Sequence, residues 1–281
     1  MSDRAPRTAI VTGASSGIGL YTALGLARAG LRVVMVGRDR ARTEAARRLV
    51  AGQAPDAEIE TALADFGSFA ELRRLAGEIL AAHDRIDVLV NNAGLFSPKY
   101  RASADGFELT FAVNHLAPFR LTNLLLDRLK SSAPARIVTV ASEAHRRNRI
   151  DLATIAGPRD WSAYKAYGRS KLCNILFTRE LAVRLAGSGV VAMSLHPGVV
   201  ATRIGQRGGL AEIAWRLMKP FMKRPDQGAA TSVFLATVPD PTPFAGGYVI
   251  GRNLARPDPA ALDRDLARRL WEESARLVGS G

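Results

Sequence analysis

A tyrosine and a lysine with helical spacing are the residues of this chain best suited to transfer a proton. Tyr167 and Lys171 are four residues apart, so on a helix they share one face, one turn along. A free phenol has a pKa of about 10, and a neighbouring ammonium lowers that pKa because it favours the phenolate. The pair predicts a tyrosine that acts as general acid or base near neutral pH. Tyr164 lacks such a partner, because position 168 is glycine.

Three further polar residues lie near predicted strand ends or inside a predicted helix. Ser142 follows a buried strand, and Thr202 lies just beyond another. Asn114 stands among apolar residues in a helix predicted over about 106–129. Because a buried amide must be hydrogen-bonded, Asn114 is either a structural tie or a group that holds a water molecule. Ser142 and Thr202 have a plainer reading as caps of a strand and a helix.

A glycine-rich turn near the N-terminus predicts a phosphate cradle. The apolar run 8–11 leads into Thr-Gly-Ala-Ser-Ser-Gly-Ile-Gly at 12–19, and an apolar helix follows. Gly13 permits a tight turn, while Gly17 and Gly19 remove side chains where pyrophosphate and helix approach. The helix start adds unpaired N–H groups, although the glycine spacing departs from the usual G-x-G-x-x-G. Predicted cofactor contacts here are Gly13, Ser15, Ser16, Gly17, Ile18 and Gly19.

The end of the second predicted strand favours NADP as the cofactor. A carboxylate there would bind the ribose 2′-hydroxyl of NAD. This chain has Gly37 and Arg38 instead, and a guanidinium can bind a 2′-phosphate through two hydrogen bonds. Asp39 lies close enough that NAD stays possible as the cofactor. The plainer interpretation of Arg38 is a solvated residue at the start of a helix.

The ends of the next two strands add candidate cofactor contacts. Asp65 either accepts the adenine amino group or caps the helix that begins near Ser68. The small and amide residues after the fourth strand suit a backbone that passes close to a flat ring. The predicted contacts are Asp65, Phe66, Asn92, Ala93 and Gly94.

Strands and helices alternate along the whole chain. Strands are predicted at 8–11, 32–36, 58–63, 86–90, 136–140, 190–195 and 246–250. This order predicts one α/β, doubly wound (Rossmann-type) domain with about seven mostly parallel strands and helices on both faces. Its cofactor-binding half would cover about 7–140, and its catalytic and substrate-binding half about 141–281. An amphipathic tail helix is predicted over 259–278, with Leu262, Leu266, Leu270 and Leu277 as its apolar face.

Composition indicates a cytoplasmic protein with a sizeable core. Of 281 residues, 47% are hydrophobic, and Cys173 is the single cysteine, which excludes an internal disulfide and fits a reducing compartment. No apolar run approaches the roughly 20 residues that span a bilayer, and the N-terminus lacks the apolar core of a signal peptide. The net charge of +13 is spread over arginines interleaved with acids, so nucleic acid is not an expected partner. No metal site is predicted.

The substrate side is less defined by the sequence. Residues 210–222 carry Leu210, Ile213, Leu217 and Phe221 at helical spacing. This segment is an apolar lid over a lipophilic carbonyl compound, a surface for peripheral membrane contact, or a helix packed on its own core. The polar loop 143–166 is expected to form another wall of the substrate site. A homo-oligomer is left open.

With these motifs together, the chain resembles the short-chain dehydrogenase/reductase family along nearly its whole length. The matches are residues 12–19, 91–94, Asn114, Ser142, Tyr167-x-x-x-Lys171 and Pro197-Gly198. The stretches Val113-Asn-His-Leu116, Ser142-Glu-Ala-His145 and His196-Pro-Gly-Val-Val200 are similar to the retinol dehydrogenase and WW-domain oxidoreductase branch.

The resemblance implies a role for each matched residue. Tyr167 would be the general acid or base, Ser142 would hydrogen-bond the substrate oxygen, and Lys171 would lower the tyrosine pKa and bind the nicotinamide ribose. Asn114 would hold a water that connects Lys171 to solvent. The nicotinamide carboxamide would be positioned by Pro197, Gly198, Val200 and Thr202. The expected function is NADP-dependent hydride transfer to or from a lipophilic alcohol or carbonyl compound, retinoid-, steroid- or fatty-aldehyde-like. The alternatives are an NADP-binding sensor or scaffold and a lyase or epimerase.

Overall fold

An eight-stranded sheet organises the computed structural model, which describes residues 7–157, 160–198 and 224–279. Its strand order is β3-β2-β1-β4-β5-β6-β7-β8. The strands are β1 Thr8–Thr12, β2 Arg32–Gly37, β3 Ile59–Leu63, β4 Val88–Asn91, β5 Ala135–Val140, β6 Val190–His196, β7 Tyr248–Ile250 and β8 Asn253–Leu254. β1 to β7 pair in parallel, and β8 pairs antiparallel with β7.

This sheet confirms the predicted fold class and adds one strand to it. Each predicted strand lies within two residues of an observed one. The eighth strand, β8, was not predicted, because two residues after a turn at Gly251 carry no periodic signal. The strand order reverses between β1 and β4, and the carboxyl ends of strands at such a point form the ligand crevice of doubly wound folds.

Helices cover both faces of the sheet. They are α1 Gly17–Arg28, α2 Arg40–Gln53, α3 Phe69–Ala82, α4 Leu109–Phe111, α5 Ala117–Ser131, α6 Ala163–Arg184, α7 Pro225–Thr237 and α8 Arg264–Val278. The helix predicted over about 106–129 begins later, at Leu109, and a π-helical turn at Ala112–Leu116 joins α4 to α5. One wide turn leaves the apolar spacing on either side unchanged, so the sequence pattern did not reveal it.

Two hydrophobic cores result, one on each face of the sheet. On β1, Ala9 and Val11 point into the core that contains α1, α2 and α7. Ile10 points the other way, into the core that contains α3, α5, α6 and α8. Burial on both faces explains why these strands are continuously apolar rather than alternating.

The C-terminal tail is helical, and three leucines of its predicted apolar face, Leu266, Leu270 and Leu277, pack on the core. The buried positions of α8 are Ala267, Leu270, Ser274 and Val278. Of the leucines predicted to form that face, only Leu270 is among them; Leu266 and Leu277 are half-buried at the core margin. Leu262 lies in a 3-10 turn before the helix. Small side chains at Ala267 and Ser274 allow α8 to approach its neighbours closely, which a count of leucines does not register.

Within the described ranges, no helix is both long and apolar enough to cross a membrane. The cytoplasmic location and the division into two functional halves stay predictions.

Candidate active site

The turn between β1 and α1 requires glycine at its contact points. Gly13 has φ +65°, and a Cβ built on it would lie 2.8 Å from Ala93 Cα. A Cβ on Gly19 would lie 2.4 Å from both the Gly13 carbonyl oxygen and Asn92 Nδ2. Gly17 has φ +57°, in the left-handed region that favours glycine. The turn therefore packs directly against the chain that follows β4.

The N-terminus of α1 has no side-chain cap. Ser16 occupies the N-cap position, yet its side chain accepts no hydrogen bond from the first turn, which also contains no acidic residue. The first N–H groups of a helix have no partner within the helix and carry the positive end of its dipole. Ser15, Ser16 and Ile18 are half-buried around this helix start. A cradle that a Cβ would fill, next to an uncapped helix start, fits the pyrophosphate of a dinucleotide.

Thr12 joins the two strands that border the crevice. Its hydroxyl donates to the Val90 carbonyl at 3.2 Å and accepts from the N–H groups of Asn92 and Ala93, both at 2.9 Å. The Asn92 side chain in turn donates to the Thr12 carbonyl at 2.7 Å. Asn92 therefore supports the glycine turn. Sequence reasoning missed Thr12 as a site residue, although its place directly before Gly13 was a usable signal.

Arg38 and Asp65 lie at the ends of β2 and β3 and border a cleft. The Arg38 Nη1 atom lies 4.0 Å from Asp65 Oδ2, and both side chains are exposed. Together with Arg101 and the chain around Phe96, they line a cleft of about 320 Å³. Two guanidinium groups and one carboxylate leave a net positive charge, which suits a phosphate. Arg101 was not predicted, because it lies in a loop without a recognisable motif.

The hydrogen bonds after β3 exclude one of the two predicted roles of Asp65. Its Oδ1 accepts from the Gly67 N–H at 2.8 Å. Ser68 caps α3 by accepting from the Glu71 N–H, so the reading of Asp65 as the helix cap is wrong. Phe66 is buried in the core, and a ligand would meet its backbone rather than its ring.

Gly37 and Asp39 each have a structural task beside Arg38. A Cβ on Gly37 would lie 2.0 Å from Thr43 Oγ1, so the packing of α2 alone requires glycine there. Asp39 caps α2 by accepting from the Arg42 N–H at 2.8 Å. The carboxylate that kept NAD open is therefore engaged within the protein.

Lys171 is buried, and its ammonium lies at the end of β5. Its Nζ donates to the Val140 carbonyl at 2.9 Å and lies 5.6 Å from the centre of the Tyr167 ring. Burial lowers the pKa of Lys171 from 10.5 to about 8, so the amine still carries its proton at pH 7. A Cβ on Gly94 would lie 3.6 Å from Nζ. The ammonium thus lies over the Tyr167 ring, with the chain after β4 beside it.

Phe96 packs against the half-buried Tyr167, and further aromatic side chains lie in the same two segments of chain. Phe96 packs edge-to-face against Tyr167, with ring centres 5.9 Å apart, and against Tyr164 at 5.5 Å. Tyr100 and Trp161 form a second edge-to-face pair at 5.7 Å, from the same two segments of chain. Tyr164 is 67% exposed, in keeping with its weak claim as the catalytic tyrosine.

Ser142 begins a 3-10 turn, Glu143–His145, directly after β5. Its Oγ accepts from the Ala144 N–H at 3.2 Å. Because this bond uses a lone pair, the hydroxyl proton can still be donated to another oxygen. A Cβ on Gly168 would lie 2.6 Å from the Ala144 carbonyl oxygen. The turn that carries Ser142 therefore packs against the helix turn that carries Tyr167.

Asn114 lies in the π-helical turn and links three segments. Its Oδ1 accepts from the Leu95 N–H at 2.8 Å, and its Nδ2 donates to the Leu95 carbonyl and to Ser170 Oγ, both at 3.0 Å. Ser170 donates onward to the Tyr167 carbonyl at 2.7 Å. The structural tie that the sequence left open is therefore present. Ser170 was not singled out, although it lies between Tyr167 and Lys171.

The remaining predicted contacts follow β6. Pro197 and Gly198 lie at its carboxyl end, and Gly198 has φ +90°, which suits glycine. Val200, Thr202 and the predicted lid over 210–222 lie outside the described residues.

This arrangement suits proton transfer to or from an oxygen held beside a dinucleotide. The phenol of Tyr167 stands next to a buried cation, and the Ser142 turn packs on the same helix. In the described part of the chain, no group of three or more His, Cys, Asp or Glu is placed to hold a metal ion.

Known proteins resemble this chain in sequence and in fold. A family model described as short chain dehydrogenase matches residues 7–211. Retinol dehydrogenase 13 of Homo sapiens is 41% identical over 284 residues, which cover 97% of this chain and 85% of that protein. A crystal structure of a protein from Mycobacterium Paratuberculosis has a TM-score of 0.79 at 35% identity, covering 98% of this chain and 94% of that one. Pseudomonas aeruginosa RhlG, solved as an NADP active-site complex, has a TM-score of 0.70 at 27% identity, covering 94% and 97%.

Proposed function

Because this chain belongs to the short chain dehydrogenase family, we propose that it is an NADP-dependent oxidoreductase of lipophilic alcohols and carbonyl compounds. The similarity to retinol dehydrogenases confirms the branch predicted from the motifs. One observation carries the proposal: the buried Lys171 ammonium lies 5.6 Å from the Tyr167 ring. A charged amine is costly to bury, and favouring a phenolate is a chemical reason to place one there.

The crevice supports NADP as the cofactor. When bound, NADP supplies the hydride donor or acceptor for the reaction. The glycine turn and the start of α1 would hold its pyrophosphate, and the Arg38 guanidinium would bind its 2′-phosphate. Pro197 and Gly198, with Val200 and Thr202, would position the nicotinamide carboxamide. The NADP in the RhlG structure supports this choice, as does the engagement of Asp39 as a helix cap.

Three side chains would manage the proton and the developing charge. Tyr167 gives a proton to the substrate oxygen in reduction and takes it back in oxidation. Lys171, charged at pH 7, stabilises the phenolate that remains. Ser142 donates a hydrogen bond to the same oxygen and stabilises negative charge as it develops. The Ala144 N–H donates to a lone pair of the Ser142 oxygen, so the hydroxyl proton is still available to the substrate.

Asn114 would serve both the scaffold and the proton path. Its side chain ties the π-helical turn to Leu95 and, through Ser170, to the Tyr167 carbonyl. Both of its side-chain N–H groups are used in these bonds. A water that links Lys171 to solvent would therefore bind the amide oxygen or the backbone carbonyl of Asn114.

The surroundings of Tyr167 support a lipophilic substrate. Phe96, Tyr164, Tyr100 and Trp161 present aromatic rings from the two segments next to the phenol. Apolar pockets bind ligands by removing such surface from water. The names of the related retinol dehydrogenases point the same way. Retinoid-, steroid- and fatty-aldehyde-like compounds are the proposed substrates.

A cofactor oxidation assay tests this function. The full chain is mixed with NADPH and a panel that pairs retinal, a steroid ketone and a long-chain aldehyde with small polar aldehydes. The expected result is NADPH oxidation with the apolar members and little with the polar ones. Tight NADPH binding without oxidation would indicate a sensor or scaffold. Product formation without a net change in NADPH absorbance would indicate a lyase or epimerase.

A further inference from the structure

The turn that follows Ser142 is joined to the C-terminal part of the chain by a buried histidine. His145 is fully buried at the end of this 3-10 turn. Its Nδ1 lies 2.7 Å from the Ser142 carbonyl oxygen, and its Nε2 lies 2.9 Å from the backbone nitrogen of Asp258. The imidazole thus connects a predicted site residue to a segment that follows it by more than a hundred residues in sequence.

These two partners assign the protonation state of His145. A backbone N–H only donates, so Nε2 must be the unprotonated acceptor for Asp258. A carbonyl only accepts, so Nδ1 must carry the proton that goes to Ser142. The neutral ring in this one tautomer satisfies both partners. An imidazolium would set a second N–H against the Asp258 N–H.

Asp258 holds the same turn at two further points. Its Oδ2 accepts from the Arg147 N–H at 3.0 Å, and its Oδ1 lies 3.4 Å from Arg149 Nη1. Arg147 has φ +59°, a left-handed conformation that costs a non-glycine residue about 1 kcal/mol or more. The segment after Ser142 that contains this strained residue is therefore held in place by Asp258.

The other side of the turn lies against α6, the helix that carries Tyr167. A Cβ on Gly168 would lie 2.4 Å from Asn148 Nδ2 and 2.6 Å from the Ala144 carbonyl. Glu143 accepts a hydrogen bond from the Tyr248 hydroxyl at 2.8 Å. The turn is thus confined between α6 and the segment from β7 to Asp258, and His145 is the link whose side chain contacts Ser142 itself.

From this geometry we propose that His145 is a positioning residue, whose neutral imidazole holds the Ser142 carbonyl against Asp258 and so sets the direction of the Ser142 hydroxyl. The proposal rests on the proposed function, in which that hydroxyl binds the substrate oxygen. It also explains the stretch Ser142-Glu-Ala-His145. Residues three apart meet on a 3-10 turn, so the ring returns to the carbonyl of the serine that it holds.

Protonation of His145 breaks this link. The charged and titratable groups that face it are Glu143 and Arg146 on its own turn, Tyr248 on β7 and Asp258. Burial lowers the pKa of His145 below its usual 6.5. Turnover should therefore decline on the acid side of that value, and a variant with an amide at this position should lack that decline.

Kinetics of a double-mutant cycle test the proposal. His145→Phe keeps a buried ring and removes both hydrogen bonds. We expect kcat for carbonyl reduction to fall at least about 30-fold, with NADPH affinity changed by less than about 2-fold. In a Ser142→Ala background the same change should alter kcat by less than about 3-fold, because the hydroxyl that it positions is already gone. His83→Asn, a buried histidine at the end of α3, is the matched control and should leave kcat unchanged.

A second variant and a spectrum keep the test decisive. His145→Asn reproduces the donor to Ser142 and should recover part of kcat and lose the acid-side decline. In ¹⁵N-histidine spectra of the full chain at pH 7, His145, identified by its absence in this variant, should be neutral with its proton on Nδ1. Equal losses of kcat in both serine backgrounds, or a proton on Nε2, would overturn the proposal. A wild-type chain with this tautomer that reduces no carbonyl compound would instead contradict the proposed function.

Discussion

The buried charge of Lys171 is the feature of the site that depends most directly on pH. Its ammonium donates to the Val140 carbonyl and lies beside the Tyr167 ring, in surroundings that lower its pKa to about 8. An exposed lysine keeps its proton to about pH 10. Lys171 loses its proton near pH 8. Any stabilisation of the Tyr167 phenolate by its charge is therefore lost above that pH.

We predict that kcat for carbonyl reduction falls as pH rises through about 8. Only the protonated amine stabilises the phenolate, so the loss should reach about tenfold by pH 9. A pH profile of kcat at saturating NADPH and substrate measures this. A profile that stays flat to pH 10 would show that the charge of Lys171 is not required.

Arg38 is the proposed determinant of a preference for NADPH over NADH. We predict that Arg38→Ala weakens NADPH binding by about 10- to 100-fold and changes NADH binding little, because charge-assisted hydrogen bonds contribute about 1.5–3 kcal/mol. Titrations with both cofactors measure the two affinities. Arg48→Ala, an exposed arginine further along α2, removes the same charge away from the cleft and serves as the control. Equal weakening of NADPH and NADH by Arg38→Ala would contradict the assignment.

At the level of helices, strands and turns, the sequence did not predict the long-range contacts of the turn after β5 and of the π-helical turn. The strands were predictable because burial on both faces makes them continuous apolar runs, and the helices because burial of one face gives a periodic pattern. The glycine turn and the Tyr167–Lys171 pair were predictable because their spacing is local. The bonds from Asn114 to Ser170 and from His145 to Asp258 join residues 56 and 113 positions apart. Such pairs leave no local pattern, so only the folded chain shows them.

Contact between the Ser142 turn and α6 should depend on Gly168. We predict that Gly168→Ala destabilises the protein by about 1–3 kcal/mol and lowers kcat, since its Cβ would press on Asn148 and the Ala144 carbonyl. Gly77→Ala is the control, because that glycine lies in α3 with open space around it. Alanine there should raise stability by about 0.5–1 kcal/mol and leave kcat unchanged. Urea unfolding and steady-state kinetics measure both; equal effects of the two substitutions would refute the contact.

His115 links the π-helical turn to α8, and its burial makes that link sensitive to acid. Its Nε2 lies 2.9 Å from Ser274 Oγ, and burial lowers its pKa to about 3. The folded-state pKa is below the unfolded value of about 6.5, so this stability is present above pH 6.5 and is lost as pH falls toward 3.

We predict that wild type loses about 2–3 kcal/mol through His115 between pH 7 and pH 4.5. Urea unfolding at both pH values measures the difference. His115→Gln carries no titrating ring, so its free energy of unfolding should fall by correspondingly less over the same interval. An equal fall in both proteins would mean that His115 is already protonated or exposed in the fold.

At the scale of the whole fold, the candidate site residues lie along one edge of the sheet. Gly13, Arg38, Asn92, Ser142 and Pro197 all follow the carboxyl ends of parallel strands. Parallel pairing alone brings those ends together, which is why residues spread over most of the chain could be proposed as one site from their places after predicted strands. Arg101 was missed because it lies in a loop of no fixed pattern. Thr12 was matched only as part of the motif at 12–19, and its place before Gly13 was not used; its three hydrogen bonds are seen only in the folded chain.

The central claim is that Tyr167 transfers the proton in a hydride-transfer reaction. The most direct measurement compares wild type with Tyr167→Phe in single-turnover reduction of the best carbonyl substrate by bound NADPH, with NADPH affinity titrated in parallel. We predict that the variant binds NADPH within about 2-fold of wild type and reduces the substrate at least about 1000-fold more slowly. A phenylalanine variant that turns over at a rate near that of wild type would contradict the account.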